Sequence, residues 1–126
     1  MYNENMLGWG INIYKANEPK TDNWKDCIAT WECGLGGDSW VRDNCEKIED
    51  NSGYPNKYRT NGKFIKKMLK DGAVKQISES TVIHEDEGIV EHAGQVGWRD
   101  KERIDFKRLK KLDDNEVIII DTWDLS

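Results

Sequence analysis

The chain has 126 residues and a mass of 14.6 kDa, enough for one domain and too few for two ordinary ones. Leu, Ile, Val and Phe supply 26 residues, about 21% and just above the level at which disorder becomes the default; with six Trp and four Tyr the chain is expected to fold, with a thin core under a polar exterior. A net charge of −5, apolar runs far short of a membrane span, no leader-like N-terminus and an odd count of three cysteines argue against membrane insertion and secretion and predict a cytoplasmic protein with reduced thiols.

In chain order, the alternation of Trp9, Ile11 and Ile13 with Asn12 and Tyr14 predicts a strand over 7–15. Residues 17–26 hold turn formers and Pro19, and read as a loop. A second strand over 27–33 places Cys27, Ala29, Trp31 and Cys33 on its inner side. The glycines after Cys33 end it, and Asp38 or Ser39 can cap a short helix over 39–48. Residues 49–61 read as an irregular loop with two embedded tyrosines. Thr60 or Asn61 can then cap a helix whose Phe64, Ile65, Met68 and Leu69 form one stripe, stopped by Gly72. Strands over 73–84 and 88–93 predict a hairpin around Glu85-Asp86-Glu87-Gly88. Asp105 can cap a basic helix within 104–112 that buries Phe106, Leu109 and Leu112. The segment 116–124 is the strongest strand, with β-branched residues on both faces as expected at the centre of a sheet. The expected architecture is one α+β domain, a mainly antiparallel β-sheet with two or three short helices packed on one face. A thin core leaves a homo-oligomer open as a further source of stability.

The acidic total hides two basic blocks. Residues 51–77 sum to +6 and residues 99–112 to +4, and together they hold 14 of the 19 Lys and Arg. If the two predicted helices share a surface, it would attract a phosphate-bearing ligand or an acidic protein, although lysines on a helix also serve solubility alone. Tyr54, Tyr58 and Arg59, with Lys63, Lys66, Lys67 and Lys70, form the candidate binding set, because stacking aromatics interleaved with cations suit a nucleotide or nucleic acid. Trp9, Trp31 and Trp123 lie in strands and are expected in the core. Trp24, Trp40 and Trp98 lie in or beside loops, where an exposed indole is a binding candidate.

No catalytic, cofactor or metal motif emerges. Gly34-Leu35-Gly36-Gly37-Asp38 matches no phosphate-binding glycine pattern, and an aspartate at the cap would repel phosphate. Cys33 shares the inner side with Trp31, which suits an inert thiol. The cysteine spacings fit no zinc pattern, and the acidic run 85–87 fits no calcium loop.

Three segments carry a resemblance: Trp31-Glu32-Cys33-Gly34-Leu35-Gly36-Gly37 with Trp40, Gly53-Tyr54-Pro55-Asn56-Lys57-Tyr58-Arg59, and Asp121-Thr122-Trp123-Asp124-Leu125-Ser126. Together they resemble a group of small uncharacterised bacteriophage and prophage proteins. The resemblance implies a phage accessory protein in the host cytoplasm that acts by binding, with inhibition of a host defence system among its roles. Its aromatics and glycines shape a fold and supply no ligand set. The expected function is therefore non-enzymatic binding of a host protein, with nucleotide or nucleic-acid sequestration as the alternative.

Overall fold

A computed structural model describes residues 8–18, 26–69, 81–84, 88–92, 95–96 and 99–125. The elements are β1 (Trp9–Lys15), β2 (Ala29–Cys33), α1 (Ser39–Asn44), β3 (Glu46–Glu49), β4 (Asn56–Asn61), α2 (Gly62–Leu69), β5 (Thr81–His84), β6 (Ile89–His92), β7 (Gln95–Val96), β8 (Arg99–Asp105), α3 (Phe106–Lys110) and β9 (Val117–Asp124). Eight strands follow one hydrogen-bonded path, β3-β4-β9-β1-β2-β8-β6-β5, and β7 pairs with β8. Each of these pairings is antiparallel, which gives the expected mainly antiparallel α+β architecture.

Strand parity decides what is buried. Ile11 and Ile13 of β1, Ala29, Trp31 and Cys33 of β2, Tyr58 of β4, Ile104 of β8, and Ile118 and Ile120 of β9 form one apolar cluster. Val41 of α1, Ile65 and Leu69 of α2, and Leu109 of α3 join it. Two local predictions hold at atomic detail. The Phe64 N–H donates to Asn61 Oδ1 at 2.9 Å, and the Arg108 N–H donates to Asp105 Oδ1 at 3.0 Å, so both caps satisfy an amide left free in the first turn.

Three local readings need correction, and one further strand forms where none was expected. The helix expected over 39–48 stops at Asn44, and Glu46–Glu49 pair with β4 as an edge strand. Asp38 makes no side-chain cap; its carboxylate meets Arg42 Nε at 3.1 Å. The end of the supposed loop 49–61 is β4, registered on β9 from Asn56↔Thr122 to Asn61↔Val117. The polar stretch 99–105 is β8, inserted between β2 and β6. The predicted turn residues 85–87, the Gly72 stop and the start of the strand over 73–84 lie outside the described residues.

On the strand parity opposite to Ile11, Ile118 and Ile120, a transverse row takes one residue from each of six neighbouring strands: Lys57, Asp121, Asn12, Thr30, Arg103 and Glu91. Lys57 Nζ lies 2.9 Å from Asp121 Oδ1 and donates to Tyr14 Oη at 2.9 Å, while Tyr14 donates to the same Asp121 oxygen at 3.0 Å. Thr30 Oγ1 donates to Asn12 Oδ1 at 2.6 Å, and Arg103 pairs with Glu91 at 3.4 Å. The alternation that buries isoleucines on one parity therefore aligns complementary polar groups on the other.

Candidate functional site

Four chain segments close on one another where β1 begins and β9 ends. Trp9 sits opposite Cys33 on β2 and Asp124 on β9. Its indole Nε1 donates to the Leu35 carbonyl oxygen at 3.2 Å. The Asp124 N–H donates to the Gly53 carbonyl at 2.7 Å, and the Leu125 N–H donates to the Gly8 carbonyl at 3.1 Å.

Close approach explains the glycines here. A side chain at Gly8 would collide with the Cys33 carbonyl oxygen, and one at Gly53, whose φ is +90°, would meet Asp124 Cβ at 2.8 Å and the Trp9 ring at 3.3 Å. The result is a backbone knot in which Gly8 and Gly53 are both buried. Around it Leu35 is 68% exposed, Tyr54 58%, Leu125 45% and Trp123 38%. Four large apolar side chains, each left in water at one end of a sheet whose core side is well filled, form an aromatic corner.

The three segments that carry the resemblance meet at this corner, through Leu35, Gly53-Tyr54 and Trp123-Asp124-Leu125. Trp123 was expected in the core. Because Ile118, Ile120 and Thr122 are fully buried, the next residue of the strand points to the other face, beside Gly10. Apolar residues of both parities in β9 conceal that direction in the sequence. Leu35 and Leu125 were not singled out as site residues, and the one readable signal for them is their place beside glycines and Trp123.

The expected binding set does not assemble as one surface. Tyr54 belongs to the corner. Tyr58 is 3% exposed within the core, which removes it from any stacking role. Arg59 turns to the opposite side of β4, where its Nε donates to Glu46 at 2.9 Å. Lys63, Lys66 and Lys67 lie on α2. Trp40 is half-buried inside an aromatic column, with its ring centroid 5.9 Å from Trp31 and 6.1 Å from Phe64. Lys70, Trp24 and Trp98 lie outside the described residues.

The thiols are poorly suited to attack. Burial, with the Asp38 carboxylate beside it, pushes Cys33 up to about 11. Burial likewise pushes Cys27 up to about 11, with Asp121 adding to the shift. Thiolate is the reactive form, so both are chemically quiet near neutral pH. Among the described residues no group of three or more His, Cys, Asp or Glu is placed to hold a metal ion, and no helix is long and apolar enough to cross a membrane. A wide recess of about 510 Å³ at the other end of β9 is lined by Ala16, Asn17, Asp113, Asn115, Glu116 and Val117, and offers carboxylates and amides to solvent.

Compared with family models, curated proteins and solved structures, the chain matches none of them.

Proposed function

We propose that the chain is a non-enzymatic binding protein whose aromatic corner docks on another protein. The observation that supports this reading is the joint exposure of Leu35, Tyr54, Trp123 and Leu125 around a backbone knot. Tryptophan and tyrosine dominate interface energetics because they bury large area with few rotatable bonds. A core fed by α1, α2 and α3 fits helices packed on a single face, with the corner at the sheet's end left for a partner. The phage resemblance supplies the partner class, a host protein, and interference with a host defence system as the consequence. Nucleotide capture by stacked tyrosines is the weaker reading, because Tyr58 is buried in the core while Tyr54 is exposed.

The test is affinity capture from host cytosol by the native protein and by Trp123→Ser and Leu35→Ser variants, at low and high salt. A host protein retained by the native chain through high salt and released by both variants supports the proposal, since apolar docking is little screened by salt. An identical captured set for all three proteins contradicts it.

A further inference from the structure

The two basic blocks of the sequence meet in space at the end of the sheet where β9 begins. Lys66 of α2 donates to the Leu112 carbonyl oxygen at 2.8 Å and pairs with Asp114 at 2.8 Å. The Lys63 N–H donates to the Asp114 carbonyl at 3.1 Å, so α2 leans on the segment that leaves α3. With Ile65 and Leu69 buried, a turn of about 100° per residue places Lys66, Lys63 and Lys67 along one arc of α2. Lys110 and Lys111 are exposed and immediately precede Leu112. Among the described residues Lys63, Lys67, Lys110 and Lys111 make no ion pair, and of the exposed carboxylates beside them Asp114 is held by Lys66 while Asp113 lines the recess at the start of β9.

We infer that this lysine surface binds the phosphate backbone of duplex nucleic acid without reading its sequence. An ammonium group is a compact charge with three donors, suited to phosphate oxygens. The class of partner follows from what surrounds the lysines. The exposed aromatic side chains among the described residues are Tyr54 and Trp123, and both lie at the corner, separated from this surface by β9, whose eight residues span roughly 23 Å. Among the described residues a single strand finds no exposed aromatic platform beside the lysines. The exposed arc of α2 carries no large apolar side chain to insert into a bilayer or to anchor an acidic protein. The net charge of −5 repels polyanions at a distance, but a screening length of about 8 Å at physiological salt lets the local surface act at contact. Non-specific affinity in the micromolar range or weaker is the consequence. Separation from the corner makes this surface independent of the proposed protein docking.

Fluorescence anisotropy with a mixed-sequence DNA duplex of roughly 20 base pairs, at about 50 and 200 mM salt, tests it. The native protein should bind at the lower salt and lose up to about 150-fold in affinity at the higher, the limit for four phosphate contacts, since Lys66 is held by Leu112 and Asp114. Lys63→Glu/Lys67→Glu and Lys110→Glu/Lys111→Glu should each weaken binding at least about tenfold and flatten the salt dependence. Glutamine at the same positions should act in the same direction, and Trp123→Ser should bind like the native protein. An unrelated duplex should bind within about twofold. No binding at the lower salt, salt-independent binding, reversal variants that bind normally, or tighter binding to phosphatidylserine vesicles than to the duplex would each overturn the inference.

Discussion

Asp121 shows how much one residue of the polar row carries. Its side chain is 7% exposed and that of Lys57 12%, although both lie on the parity away from the isoleucine core. For Lys57, burial opposes the charged form, yet hydrogen bonds to Tyr14 and Asp121, with the aspartate's charge, hold its pKa above the ordinary value. Asp121→Ala leaves the lysine buried without its counter-ion and should cost about 3 kcal/mol in urea unfolding, while Lys57→Met/Asp121→Leu should lose much less. The buried thiols give a pH signature. Their pKa values rise from 9.0 to about 11 on folding, so the folded chain holds these protons more tightly than the unfolded chain. Stability from this source is complete below about pH 9 and is lost as pH climbs to about 11. Urea midpoints measured across that window should fall for the native protein and fall less for Cys33→Ala. A flat profile contradicts the assignment. Inward Cys33 was legible from alternation alone; the Lys57–Asp121 pair was not, because it joins strands 64 residues apart.

Elements were legible where local rules decide them. Asn61 and Asp105 cap their helices as cap residues do anywhere, and Asp105→Ala should cost about 1 kcal/mol in thermal or chemical unfolding. β3, β4 and β8 were hidden because their residues, such as Asn56-Lys57-Tyr58-Arg59 and Arg99–Glu102, are turn-like or charged, and neighbouring strands impose the extended conformation. β3 shows a further device: its register on β4 shifts between Lys47 and Glu49, and all four of its residues are exposed. An irregular, charged edge discourages pairing with another sheet. Gly62, where β4 turns into α2, has a role visible only in three dimensions, since a side chain there would collide with the Asp113 carbonyl oxygen. Gly62→Ala should destabilise by about 2 kcal/mol, against near neutrality for an alanine at Gly36, where the space is open.

For the whole molecule, β9 is the axis. Its first residues adjoin the lysines of α2 and the segment leaving α3, and its last residues close the aromatic corner. The basic blocks could be counted in the sequence, but their meeting through Lys66 and Leu112 depends on a contact across 46 residues. The corner likewise joins glycines and aromatics that are scattered in the chain, which is why Tyr54 alone among its exposed residues entered the expected binding set. Variants at the two ends should not affect one another's ligand, because sites this far apart with no shared partner behave additively. The docking claim is tested most directly by hydroxyl-radical footprinting of the protein alone and in complex with the captured host protein. Protection of Leu35, Tyr54, Trp123 and Leu125, with the exposed lysines of α2 unchanged, is the predicted result. A footprint confined to the helices, or none at the corner, would contradict it.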